Sequence, residues 1–277
     1  MKPLIVLVAA VMLSPISFAQ DSIFPIWGEQ ATQRGHTLPK PYGLSLSYMD
    51  ISNPVTIDNI NLTGGIGDIV DIDAKKAEFE GSNVTLRGDV WLLPFMNVYG
   101  IFGYTRAQST ANIDSISILG IPISAGDVKF TLDMSGMTYG LGTTLVGGID
   151  NWFALLDLNY SLTDIDAIDG NIKTFVAAPR VGHRWQYDGG RELRVFVGAM
   201  YQDVQQHLSG DIQALGLDLG GMNGLLEGSR FEVSQRTEQQ WNALVGFQYS
   251  FNRDWDVLAE AGLGQRNSAL VSLGRRF

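Results

Sequence analysis

The chain has 277 residues, no cysteine, and 29 acidic against 19 basic residues, for a net charge of −10. The missing cysteines exclude a disulfide framework, a thiolate metal site and a lipid-modified N-terminal cysteine. The acidic balance repels phosphate backbones and so sets nucleic acid aside as a partner.

Met1, Lys2 and Pro3 make a short positive start, and Leu4–Leu13 is an unbroken apolar run. Ser17-Phe18-Ala19 then places small residues where a signal peptidase reads, so residues 1–19 are expected to be a secretory signal peptide. The apolar run is too short for a membrane helix, which takes roughly 20 residues. Later apolar stretches are all interrupted within a few residues by Gly, Asp, Asn or Arg. The mature chain is therefore either soluble or crosses a membrane as a closed barrel. Residues 20–41 carry Pro25, Pro39 and Pro41 and are expected as an irregular periplasmic tail or a short insert into a lumen.

From residue 42 onward the dominant signal is period-2 alternation. Tyr42, Leu44, Leu46 and Tyr48 alternate with Gly43, Ser45 and Ser47. Met137, Tyr139, Leu141, Thr143 and Leu145 alternate with small residues, and Trp152 to Leu162 and Leu193 to Tyr201 repeat the pattern. Trp241, Ala243, Val245, Phe247, Tyr249 and Phe251 alternate with Asn242, Leu244, Gly246, Gln248 and Ser250. Alternate side chains of a strand point to opposite faces, so each of these strands has one greasy face and one wetter one. A soluble sandwich would turn the greasy face inward. A membrane barrel turns it outward and places aromatics at its ends, as Trp241 and Phe251 stand here.

Ten strands are expected, near 42–51, 82–93, 97–108, 135–147, 152–162, 173–186, 191–205, 239–251, 255–264 and 267–277. The short turns Pro94-Phe95-Met96, Gly148-Ile149-Asp150, Tyr187-Asp188-Gly189-Gly190 and Asn252-Arg253-Asp254 alternate with long connections at 52–81, 109–134, 163–172 and 206–237. Tight periplasmic turns and long outer loops produce that rhythm. The first two hairpins are expected to continue as β-ribbon above the membrane, with tips at Gly64-Gly65-Ile66-Gly67 and near Gly120 to Gly126. The fold class is thus an all-β, closed antiparallel transmembrane barrel over 42–277.

The chain ends on Phe277, with Ala269, Val271 and Leu273 alternating before it and Arg275 in place of the usual apolar residue. This strand resembles the C-terminal strand of Gram-negative outer-membrane barrels. The resemblance implies an outer-membrane location among lipid and lipopolysaccharide, with Phe277 as the signal read by the barrel-assembly machinery.

The strand phase places Arg87, Asp89, Asp157, Arg180, Arg184, Arg194, Asp256, Glu260 and Arg276 on the lumen face. Such charges either set the ion preference of a pore or form a ladder of ion pairs that fills a narrow barrel. Eight strands enclose an interior just filled by side chains and wide channels need about 16, so pairs and a small conductance are expected. Five arginines against four carboxylates argue against strong ion selectivity.

Catalysis is not expected. The proteases of this architecture carry Asp and His pairs at the outer rim, whereas this chain has three histidines and no omptin-like or phospholipase-like motif. His36 lies in the N-terminal segment, His183 at a periplasmic strand end, and His207 above the membrane with Asp203 and Ser209 on its face. Residues four apart on a strand stand about 13 Å apart, too far for a hydrogen bond. Asp164, Asp166 and Asp169-Gly170-Asn171 do not follow calcium-loop spacing. Gly140-Leu141-Gly142 and Gly262-Leu263-Gly264 lack the third glycine and the helix of a phosphate cradle. No cofactor is expected.

Two outer loops are apolar, one with Ile116, Ile118, Leu119, Ile121 and Ile123, the other with Leu215, Leu217, Leu219, Leu225 and Leu226. They either cap the barrel or offer a contact surface for a ligand. The expected function is a small porin-like or transport-type barrel. The alternatives are a non-conducting surface protein for adhesion, recognition or envelope stability, and an outer-membrane hydrolase built on His207.

Overall fold

The structure is a computed structural model that describes residues 23–64, 70–74, 76–113, 115–123, 129–166, 169–211 and 228–277. Residues 1–19, the apolar segment 215–226 and most of the expected tips at 65–67 and 124–126 lie outside the described residues.

Ten strands form a closed antiparallel ring. In ring order they are β1 (Tyr42–Thr63), β3 (Lys76–Leu93), β4 (Met96–Asn112), β7 (Lys129–Ile149), β8 (Trp152–Ile165), β9 (Asp169–Gln186), β10 (Glu192–Asp211), β12 (Trp241–Ser250), β13 (Trp255–Leu263) and β14 (Asn267–Arg276). β14 closes on β1 with Arg276 opposite Gly43 and Asn267 opposite Ser52. The Phe277 backbone N–H adds a last hydrogen bond to the Tyr42 carbonyl. Closure leaves no unpaired edge, which is what lets strands lie in a medium without water.

The turns joining the strands at one end are tight. Ile149 pairs Trp152, so β7 and β8 are joined by Asp150 and Asn151 alone, with Asp150 at φ 53°. Aspartate tolerates that left-handed conformation better than most residues, and two-residue hairpins require it.

At the other end the strands run farther than the alternation in the sequence marks. β1 continues to Thr63, β7 begins at Lys129 and β10 reaches Asp211. The connection expected at 206–237 carries strand at both ends: its start completes β10, and its end is an eleventh strand, β11 (Arg230–Thr237). β11 descends toward β12 along the same flank of β10, interrupted only at 238–240. The reason lies in the short β13–β14 turn at 264–266. Beyond it β1 has no β14 to pair with, so its residues 55–63 pair directly with β11. The wall therefore sheds the β13–β14 hairpin as it rises. The second hairpin departs from a plain ribbon as well. β5 (Ser115–Ile118) and β6 (Ile121–Ile123) turn back at Leu119-Gly120, and β5 pairs with β2 (Val70–Asp73) from the first connection.

The apolar face of the strands changes sides along their length. On β10, Leu193, Val195, Val197, Ala199 and Tyr201 share the outward face, but farther up the buried apolar residues are the inward Val204 and Leu208. On β7 the outward set is Tyr139, Leu141 and Leu145 and the buried set is Leu132 and Met134. On β1, Tyr48 faces out while Val55 and Ile57 are buried inside. These inward residues join Ile165, Ile172, Phe231 and Val233 in one apolar core inside the barrel's upper end. The lower barrel is greasy outside and polar inside, and the upper barrel is the reverse.

Candidate functional site in the barrel lumen

All nine charges singled out above line one interior cavity of about 1750 Å³. It runs from the tight turns, at Phe95 and Asp254, up to Ile51, Phe79, Ile172 and Val204 beneath the apolar core. The pairs beside it do not fill the interior.

Three groups of contacts hold the charges. In the first, Arg276 Nη2 donates to Asp89 Oδ1 at 2.7 Å, and Asn97 Nδ2 donates to the same oxygen at 2.5 Å. Asn97 Oδ1 accepts from Arg87 Nη2 at 3.0 Å, and Arg87 stands 3.7 Å from Asp157 while lying 3.5 Å over the Tyr99 ring. Tyr99 and Thr144 hydroxyls donate to the two oxygens of Asp157, each at 2.7 Å. In the second, Arg180 makes a forked contact with Glu260, Nε to Oε2 at 2.6 Å and Nη2 to Oε1 at 3.1 Å. In the third, Arg194 pairs with Glu192 and donates to Gln248 at 3.2 Å, and Gln248 donates to Asp256 at 2.8 Å. Arg184 stands apart, donating to the backbone carbonyl of Asp150 at 3.0 Å.

Glycine makes room for these groups at two kinds of place. A Cβ at Gly43 would stand 2.2 Å from Asp89, and one at Gly246 would stand 2.6 Å from the Phe196 ring beneath Arg180. Residues 27–40 add the lower wall of the cavity, through the single-turn helix α1 (Gly28–Gln33) and the chain after it. Lys40 lies 2.6 Å from Asp254, and Arg276 Nη1 donates to the Lys40 carbonyl at 2.9 Å. Above the charges comes a hydroxyl layer in which Thr138 bonds Thr105 at 2.7 Å and Thr163 at 2.8 Å. Next is the apolar core.

The outside of this charged zone is an exposed apolar belt including Leu46, Val84, Leu141, Val181, Val197, Val245 and Val271. A row of aromatics bounds it on each side. Near the turns stand Trp152, Trp185, Tyr187 and Phe251, all exposed. On the other side Tyr139 donates to Asp164 at 3.1 Å and Tyr104 to Asp166 at 3.4 Å, while Tyr201 meets both Phe175 and Trp241 edge to face. An apolar band with tyrosines reaching toward aspartates beyond it is a bilayer boundary written in side chains. The chain is a transmembrane β-barrel. Its tight turns lie on one side of that band and its apolar core beyond the other.

Solved outer-membrane barrels resemble it at low identity. The outer membrane protein OprG from Pseudomonas aeruginosa is 14% identical, with 78% of this chain and 98% of that one covered and a TM-score of 0.40. The transport unit of the autotransporter AIDA-I from Escherichia coli is 11% identical, covering 91% and 98%, with a TM-score of 0.39. The Ralstonia pickettii toluene transporter TbuX is 7% identical, covering 87% and 90%, with a TM-score of 0.36. No family model and no curated protein matches the chain.

The remaining singled-out residues are dispersed over this barrel. His36 lines the cavity at its tight-turn end. His183 faces outward between the Trp152 and Trp185 rings, at 5.1 and 4.5 Å. His207 projects from the outer face of β10 with Nδ1 3.1 Å from the Ser234 hydroxyl. Asp203 instead accepts from Gln205, and Ser209 donates to the Asp169 carbonyl, so the strand keeps the three apart as its spacing requires. Asp169 pairs with Arg230 at 3.0 Å, and no three metal-ligating groups converge among the described residues. Gly140, Gly142 and Gly262 lie in strands, whereas Gly264 is in the β13–β14 turn rather than a strand. Leu119 and Ile121 are exposed on the β5–β6 hairpin. Phe277 ends the strand that closes the ring, and Arg275 stacks on it at 4.8 Å and on Trp255 at 5.3 Å, which shields the charge at the membrane edge.

Sequence reasoning missed Tyr99, Asn97, Gln248 and Glu192, the polar neighbours that hold the charges. It also missed the apolar core. The signal for the core is present: the apolar phase switches from even to odd positions between Tyr48 and Val55, and from odd to even between Tyr201 and Val204.

Proposed function

We propose that this protein is a small porin-like or transport-type barrel with a constricted, charged lumen, closed toward the cell surface at rest. The observation that carries the reading is the layering of the interior: a cavity lined by charge pairs opens beneath an apolar core that spans the barrel. A water-filled space with polar walls suits a small hydrophilic solute. An apolar constriction above it blocks permeation by excluding water until it parts. Opposite charges held across a narrow space attract strongly and keep the walls together. The reading takes the barrel as a non-enzyme, since His207 meets a serine and no carboxylate among the described residues. It takes the strand ending at Phe277 as the substrate of the barrel-assembly machinery.

Proteoliposomes test this. Slow swelling with small hydrophilic solutes, falling off sharply with solute size, is the expected result. Rapid swelling with large sugars overturns the constriction. No permeation of any solute favours a surface protein, a reading that the exposed Leu119 and Ile121 on the outer hairpin support.

A further inference from the structure

Arg184 on β9 and Arg194 on β10 stand directly opposite each other, and both line the cavity near its tight-turn end. Like charges facing across neighbouring strands repel unless a negative group lies beside them. Arg194 has Glu192. Arg184 has only the Asp150 backbone carbonyl among the described residues, and its Nε is buried with no hydrogen-bond partner. Two more arginines border the same stretch of cavity. Arg191 donates to the Asp188 backbone carbonyl at 3.0 Å, and Arg253 lies across the same turn, its Cγ 3.1 Å from where a Gly190 Cβ would stand. Neither meets a carboxylate within ion-pair distance among the described residues. Although Asp150, Glu192 and Asp254 line the same end of the cavity, Arg184, Arg191 and Arg253 are left without an ion-pair partner among the described residues, at the mouth formed by the tight turns.

We propose that Arg184, Arg191 and Arg253, with Arg194 behind them, form a binding subsite for a small oxyanion, a phosphate- or carboxylate-bearing solute in the lumen. Guanidinium groups present forked N–H donors that match two oxygens of such an anion, and the buried Arg184 Nε supplies a donor that the protein leaves unused. A bound anion also removes the repulsion between Arg184 and Arg194. The low-dielectric wall around the cavity focuses the positive field toward the solute. This deepens the transport reading by giving it a substrate class, and it rests on that reading only for the direction of travel.

Calorimetric titration of the refolded barrel in a zwitterionic detergent, with inorganic phosphate in one arm and succinate in the other, tests the subsite without requiring conduction. The expected result is saturable binding of at least one anion. Arg184→Gln should weaken it tenfold or more and Arg253→Gln should weaken it severalfold. Arg230→Gln, on the outer face, should leave it unchanged. Far-UV circular dichroism and the heat-dependent gel shift confirm that each variant is folded, and Arg253→Gln, in an exposed turn, guards against misfolding of Arg184→Gln. Absence of saturable binding by both anions overturns the proposal. So does affinity unchanged in both Arg184→Gln and Arg253→Gln. Binding without permeation in the liposome assay would keep the subsite and defeat the transport reading.

Discussion

Arg180 on β9 and Glu260 on β13 meet across the two strands between them, with Nε 2.6 Å from Oε2 and side-chain exposures of only 15% and 5%. A pair this dry depends on both partners. Removing one strands the other as a buried, uncompensated charge at a cost of about 3–5 kcal/mol. Glu260→Gln and Arg180→Ala should each lower the unfolding free energy by about that much, read by urea titration in lipid vesicles. The double variant Arg180→Met/Glu260→Leu should recover much of the loss, since an apolar pair leaves no charge behind. Additive losses in the double variant would mean that the two residues act separately.

Arg266 makes the opposite case. In the turn between β13 and β14 it is 1% exposed and, among the described residues, its side chain donates only a long bond of 3.4 Å to the Met200 carbonyl and leaves Nε and Nη1 unpartnered. It meets no carboxylate among the described residues. Replacing a buried, unpaired cation with an apolar residue of similar length removes a desolvation penalty. Arg266→Met should therefore hold stability within about 1 kcal/mol of the parent or raise it. A loss of several kcal/mol in the same titration would show that the guanidinium holds the turn.

The belt predicts a depth-dependent penalty. Val245 lies midway along β12 on the exposed face, and its neighbour Leu244 is buried inside. An arginine at Val245 should cost about 2–4 kcal/mol, as charges do at the bilayer midplane. Leu244→Ala should cost about 2–5 kcal/mol for a different reason, the cavity left beside Ala178 and Met200. Val245→Arg assembling with parental stability would reverse the assigned faces of β12.

How much of this could be read from the residues differs by region. In the membrane zone the side-chain period gave both the strands and their phase, because lipid outside and polar lumen inside make the two faces chemically distinct. Arg87, Asp157, Arg180 and Glu260 therefore stood out. Their cross-barrel partners did not, because Arg87 with Asp157 and Arg180 with Glu260 join strands that are not neighbours. Ring size and shear, which no local pattern carries, decide such contacts. Above the membrane the same alternation persists with reversed meaning. Lys76, Glu78 and Glu80 face water, while Ala77 and Phe79 face the core, so a strand with an inner apolar face passes for a polar loop. β11 was hidden for that reason, and because a strand that replaces β14 beside β1 is a consequence of the short 264–266 turn far along the chain.

The apolar core is the feature on which the closed state depends. Phe231 and Leu208 are buried at its centre, 1% exposed each, and β11 carries the Phe231 ring into it. Phe231→Ala should cost about 3–5 kcal/mol and leave a cavity in the roof of the charged chamber.

Single-channel recording in planar bilayers, comparing the parent with Phe231→Ala and Leu208→Ser, decides whether the apolar core is the gate. The parent should give small, infrequent steps and both variants larger, longer openings, because water enters the apolar constriction once its packing is broken. Large, stable steps in the parent, or variants that conduct no more than the parent, would contradict it.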